Sequence, residues 1–356
     1  MYRSPYLITF ILFLSMSLFL SSTSHSMAQK TTDIERNSEA IISKIDDGEY
    51  KNIDGFIVWQ NDKLITENYW ESWDQDKPHS LQSVTKSITS LLIGIAIQQE
   101  YIKNIDQKII PFFPNYKIPS NDSLKNKITI ENLLAMQAGM DWNEHPYSGS
   151  QLDGMNSTKN DWISFVLDIP MKNSPGESYN YNSGGTILLA GILEKASGNS
   201  VQEFADDYLF NPLDIKSAKW WFKDNRGLPH TGGGLSMAAK DMLKIGRLIL
   251  QCGKWNDIQI LSCGYINRLF VNHQEKPIPK VSEFRRGYSL LWHVFPLNHK
   301  NKSNHFQNNF IAAWGAEGQW IIVVPQHNLV TVFIASTDNY QQEVKPIEIV
   351  YQYLLK

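Results

Sequence analysis

Leu81-Gln82-Ser83-Val84-Thr85-Lys86-Ser87-Ile88-Thr89-Ser90-Leu91-Leu92-Ile93-Gly94 is the stretch on which the reading of this chain turns. Ile88, Leu91, Leu92, Ile95 and Ile97 recur at helical spacing, so the periodicity predicts a helix over residues 83–98 with a wide apolar stripe. Ser83 and Lys86 stand at i and i+3 in its first turn, on one face. The chain contains no other Ser-x-x-Lys. A serine hydroxyl needs a base to become a nucleophile, and a buried lysine of depressed pKa can be that base. Free N–H groups and the positive dipole end of a first helical turn favour an oxyanion beside the serine. The local pattern also fits a plainer reading, with Ser83 as a helix cap and Lys86 as a surface charge.

Outward from this helix, Gly55 to Gln60 and Lys63 to Trp70 are β-prone runs joined by Asn61-Asp62, a hairpin signal. Residues 100–210 alternate short helical patterns with Pro, Gly and Asn turns and show little strand character. A helix is expected over 182–196, closing at Gly198, and another over 238–250. Strand character returns in Gly287 to Val294, Asn309 to Trp314, Gln319 to Val324 and Leu329 to Ala335, before a terminal amphipathic helix over 343–355. Strands at both ends with helices between them predict an α/β (α+β) fold: one antiparallel sheet assembled from both termini, flanked by helices, with an inserted all-helical lobe. A ligand is then expected in the cleft between lobes.

Three segments carry a family resemblance. The stretch from Leu81 to Gly94 resembles the nucleophile helix of serine β-lactamases, penicillin-binding proteins and related esterases. Residues 129–142 (TIENLLAMQAGMDW) resemble the segment that follows it there. Pro175-Gly176-Glu177-Ser178-Tyr179-Asn180-Tyr181-Asn182-Ser183 is similar to the family's second motif, with Tyr181 on its tyrosine. Ser183 stands where class C β-lactamases carry asparagine, which points toward the esterase-like and 6-aminohexanoate-dimer-hydrolase-like branches. The similarity runs from about residue 50 to the C-terminus. It implies a β-lactamase/transpeptidase-like fold and acyl-enzyme chemistry, with Ser83 as nucleophile and Lys86 and Tyr181 handling protons. Tyr181 has its own chemical case, because a phenol can accept the seryl proton as phenolate or relay it to the leaving group.

The family's third motif is a Lys-Thr-Gly or His-x-Gly on a late strand lining the cleft. His230-Thr231-Gly232 spells it, yet a glycine-rich turn and the helix over 238–250 follow, so His230 is expected to stand outside the catalytic set. Ala313-Trp314-Gly315 lies between late strands and suits the position better. By resemblance, the Ala316 N–H joins that of Ser83 as the oxyanion hole, with Gly315, Trp314 and Ser183 beside the substrate. A glycine there lets substrate approach the backbone. Ala313 and Trp314 carry no charge, so weak β-lactam turnover and a neutral or amphipathic ester or amide are expected, unless Arg285 or Arg286 reaches the cleft. Trp142, Trp220, Trp221 and Trp314 are candidates for its walls. Gly234-Leu235-Ser236-Met237-Ala238 nearly spells a nucleophile elbow but lacks the final glycine and the preceding strand.

Composition excludes other classes. Hydrophobic residues at 42% and charged residues at 19% describe a globular chain, and a net charge of −3 without basic runs argues against a nucleic-acid partner. No HExxH or paired i, i+4 histidines occur, so neither a metal nor another cofactor is implied. Arg3, the apolar run 6–20 and Ser26-Met27-Ala28 read as a signal peptide over 1–28, followed by a polar leader over 29–39 and a hydrolase domain over 40–356. The apolar run is short for a membrane span, so a periplasmic or secreted protein without stable membrane insertion is expected. In an oxidising compartment Cys252 and Cys263 would either pair or stay buried as thiols. The expected protein is a monomeric exported serine hydrolase of a small ester, amide or peptide-like substrate. The alternatives are a β-lactamase or D,D-peptidase, and a catalytically silent cell-envelope ligand binder.

Overall fold

The computed structural model describes residues 33–158, 160–274, 279–299 and 308–355. The expected signal peptide lies outside the described residues. Helix α1 (33–46) leads into β1 (Ile53–Gln60) and β2 (Lys63–Tyr69). Asn61 and Asp62 both adopt positive φ, the conformation that a two-residue turn requires to match the twist of its strands. β3 (Gly287–Ser289), β4 (Trp292–Pro296), β5 (Asn309–Gly315), β6 (Gln319–Val324) and β7 (Leu329–Ala335) come from the other end of the chain. They assemble as one antiparallel sheet in the order β2-β1-β7-β6-β5-β4-β3. First and last strands pair one place in from an edge, Phe56 opposite Phe333, so the sheet does join both ends of the chain.

Alternation along these strands builds two cores. Ile57, Trp59, Ile311, Ala313, Ile321, Val323, Val330 and Val332 face the helical side. Phe56, Val58, Phe310, Ala312, Trp320, Ile322 and Phe333 face a smaller core closed by α1 and the C-terminal helices. Two expectations are corrected here. The run from Gly287 to Val294 is not one strand: Leu290 and Leu291 take positive φ and fold it into the β3–β4 hairpin. The terminal helix is broken into Tyr340–Glu343, Lys345–Ile349 and a wide turn over Val350–Leu354, with Pro346 at the start of the second piece, where its missing N–H is tolerated.

The helical side centres on α2 (Val84–Gln98), α3 (Ser183–Ser197) and α4 (Ala239–Leu250). α2 is buried almost all round, which its hydroxyl residues survive by finding acceptors. Ser87 Oγ donates to Leu291 O at 2.7 Å, Thr89 Oγ1 to Thr231 O at 2.9 Å, and Ser90 Oγ lies 3.1 Å from Tyr265 Oη. α3 starts at Asn182, whose side chain accepts from Gly185 N, and stops at Gly198 in the left-handed conformation. A small sheet of His79–Ser80, Leu235–Met237 and Lys219–Trp220 brings the segment around residue 235 against the start of α2, where Leu81 N donates to Leu235 O at 2.9 Å. Cys252 and Cys263 are bonded, with Cα atoms 4.8 Å apart. No helix among the described residues is long and apolar enough to cross a membrane.

Candidate active site

Ser83 occupies the cap position of α2, and Lys86 sits one turn on with its amine buried, 2% exposed overall. Lys86 Nζ lies 3.1 Å from Ser83 Oγ, donates to Gly232 O at 2.6 Å, and stands 4.7 Å from the centre of the Tyr181 ring. The surface-charge reading of Lys86 therefore fails. Burial pushes its pKa down to about 8, against a smaller upward pull from the Glu144 carboxylate. Tyr181 moves the other way. Burial first, then Glu144, raise its phenol above the ordinary range, and a hydrogen bond with Ser83 offsets only part of this. Tyr181 is thus held as a neutral phenol, suited to relay a proton rather than to act as a phenolate.

Gly315, at the end of β5, is there for backbone contact rather than for substrate. A Cβ at this position would lie 2.4 Å from Leu81 O and 3.0 Å from Ser83 N. β5 can approach the serine turn this closely only through a glycine, and the next residue, Ala316, lines the same cleft as Ser83. Gln82 Nε2 donates to Glu317 Oε1 at 3.0 Å, and both residues take positive φ, so the two turns that form this corner are tied to each other.

These residues open into a cleft of about 770 Å³ lined by Ser83, Lys86, Tyr181, Ser183, Trp314 and Ala316, together with groups that sequence reasoning passed over or set aside. Glu144 was passed over. Its Oε1 accepts from Trp142 Nε1 at 2.9 Å and from Ser183 N, so it caps α3 from within the cleft. The signal was a carboxylate two residues beyond the segment 129–142. Arg286 does reach the cleft: its guanidinium, 5.8 Å from the Trp314 ring, is fixed by Nε to Pro279 O at 2.7 Å and Nη1 to His293 Nδ1 at 2.6 Å. Of the two arginines named in the sequence, Arg286, the residue preceding β3, thus brings to the cleft the charge that β5 lacks. His230 also lines the cleft, and Gly232 of the same segment holds Lys86. Of the four tryptophans, Trp221 and Trp314 face the cleft; Trp142 and Trp220 are core. Ser236 pairs in the small sheet, opposite Ser80 and Lys219, and is no elbow.

No cluster of His, Cys, Asp and Glu suited to a metal occurs among the described residues. The fold has clear counterparts among solved structures. A 6-aminohexanoate-dimer hydrolase of Paenarthrobacter ureafaciens is 25% identical over 254 residues, covering 67% of this chain and 63% of that one. The chain thus spans less than two thirds of that relative. A putative beta-lactamase from Bacteroides dorei superposes with a TM-score of 0.71 at 18% identity, covering 91% of this chain and 99% of the other. The hydrolase EstCE1 gives 0.68 at 15%, covering 92% and 99%. The Beta-lactamase family profile matches residues 52–352, nearly all of the described chain from β1 onward, and this chain belongs to that family.

Proposed function

We propose that this protein is an exported serine hydrolase that cleaves an ester or amide through an acyl-enzyme. The observation that carries the reading is the buried Lys86 amine 3.1 Å from Ser83 Oγ, with its pKa near 8. Ser83 Oγ attacks the substrate carbonyl while Lys86 takes its proton. The backbone N–H groups of Ser83 and Ala316 stabilise the oxyanion. As the tetrahedral intermediate collapses, the proton passes to the leaving group through Tyr181 or directly from Lys86. Water, deprotonated by the same groups, then releases the acid and restores Ser83. The resemblance of the chain to a protein named 6-aminohexanoate-dimer hydrolase supports an amide or ester substrate. Arg286 adds a place for an anionic group, so β-lactam or peptide-like substrates return as candidates for the same machinery. Export rests on the sequence of residues 1–28.

The test is covalent. A fluorophosphonate should add one phosphonyl mass to the folded protein at Ser83, and Ser83→Ala should abolish both labelling and ester turnover while leaving the melting temperature nearly unchanged. A folded protein that takes no label at Ser83 would be a silent ligand binder instead.

A further inference from the structure

Glu144 is a buried carboxylate in the cleft that neither attacks the substrate nor relays a proton. It is 7% exposed and stands among the lining residues. Its place is fixed by Trp142, whose Nε1 donates to Glu144 Oε1 at 2.9 Å. The Trp142 ring in turn lies against the first turn of α3, where a Cβ on Gly184 would stand 2.7 Å from it. The same carboxylate oxygen accepts from Ser183 N, two residues beyond Tyr181.

The turn that carries Tyr181 is therefore tied to residues 136–144 on both sides of the phenol. Before it, Asn180 N donates to Met136 O at 2.8 Å and Asn180 Nδ2 to Trp142 O at 2.8 Å. After it, Asn182 N lies 3.2 Å from Met136 Sδ, and Ser183 N is held by Glu144. A neutral side chain would satisfy Ser183 N and Trp142 Nε1 equally well, and burying a charge is costly. The helix start does not call for that charge either, since Asn182 Oδ1 already accepts from Gly185 N at 2.9 Å.

The charge has a counterpart in the same cleft. The Lys86 amine contacts the neutral Ser83 Oγ and Gly232 O, and its upward electrostatic pull comes from Glu144 rather than from Arg286 or Glu343, which also line the cleft. Tyr181, His230 and His293, the titratable groups around the amine, are all shifted by burial toward their neutral forms. Without Glu144, burial would carry Lys86 further down and leave an amine that is free but a weaker base.

We propose that Glu144 is a positioning residue for proton transfer, holding the Tyr181 turn through Ser183 N and serving as the counter-charge of the buried Lys86 ammonium. The inference rests on the acyl-enzyme reading of the same cleft.

The experiment is the pH profile of nitrophenyl butyrate hydrolysis by the parent, Glu144→Gln and Glu144→Asp. Each protein is first labelled at Ser83 with a fluorophosphonate and melted to show that it is folded. Glu144→Gln keeps an acceptor for both donors and removes the charge, so the bend in kcat/KM should move down by about one pH unit. Glu144→Asp keeps the charge and withdraws it by one methylene from Ser183 N. Its bend should stay near 8, while kcat on the plateau falls about tenfold with KM nearly unchanged. A merely structural acid would lower the plateau in both variants and move the bend in neither. An unmoved bend in Glu144→Gln, or an undiminished plateau in Glu144→Asp, would overturn the proposal, and either variant decides alone if the other does not fold. Failure to label Ser83 in the folded parent, or a parent profile without the bend, would overturn the reading of Ser83 and Lys86 first and this inference with it.

Discussion

Lys86 can be tested as a base by its proton. A lysine of ordinary pKa 10.5 offers on the order of 0.03% free amine at pH 7, whereas one near 8 offers about 9%, a gain of roughly 300-fold. If the free amine accepts the Ser83 proton, kcat/KM on a neutral ester should rise about tenfold per pH unit below 7, bend near 8 and level above 9. Two shifted neighbours of Lys86 titrate outside that window. His230 is held down at about 3, and Tyr181 is raised above its ordinary range. Lys86→Arg keeps a cation but cannot give a base, so the rate should fall by about 10² or more and the bend near 8 should vanish. A flat profile between pH 6 and 9 in the parent, or the same bend in Lys86→Arg, would refute the role.

The same shift has a cost in stability, with a definite sign. The unfolded chain holds the Lys86 proton up to about 10.5 and the folded one only to about 8, so between those values stability rises with pH. Below 8 the full penalty remains, about 3 kcal/mol from a shift of this size. Lys86→Met removes it and forfeits the bond of the charged amine to Gly232 O, which contributes about 2 kcal/mol. The net gain of about 1 kcal/mol should raise the melting temperature by roughly 2–3 °C at pH 7 and fade toward pH 10.5, in an inactive protein. A Lys86→Met variant no more stable than the parent at pH 7 would mean that the amine is not strained by its burial.

Two further substitutions probe the frame around that amine. Gly315→Ala places a Cβ against Leu81 O and Ser83 N, backbone atoms that cannot swing aside, so kcat should drop about 100-fold in a folded protein; unchanged kcat would disprove the close approach of β5. Arg286→Ala should lower the nitrocefin-to-nitrophenyl-butyrate ratio of kcat/KM by about 10- to 150-fold, the loss of a charge-assisted hydrogen bond, and an unaltered ratio would show that the guanidinium serves only His293 and Pro279.

What could be read in advance follows the range of the forces involved. Period and turn chemistry are local, so the β1–β2 hairpin, α2, α3 with its Gly198 stop, and β5 to β7 stand close to where alternation and caps put them. The Leu290-Leu291 turn has no glycine, asparagine or proline to announce it. Its positive φ values are imposed by the sheet, and the run around it looked continuous for that reason. Ser83 and Lys86 were legible because one helical turn joins them. Tyr181, nearly 100 residues on, was reached by resemblance. Arg286 and Glu144 belong to no motif of their own, and each owes its place to a segment folded against α2 from far away in the chain. The third motif shows why spelling and place must be separated. His230-Thr231-Gly232 has the letters and lies off the late strand, while Trp314-Gly315-Ala316 has the place without the charge. The cleft uses both segments: one for the backbone that abuts Ser83, the other for the carbonyl that holds Lys86. A motif search scores one segment at a time, whereas burial of the lysine requires every wall at once. Removal of any wall that keeps water from Lys86 should therefore return its pKa toward 10.5 and cost activity at neutral pH, even where no atom of that wall touches the substrate.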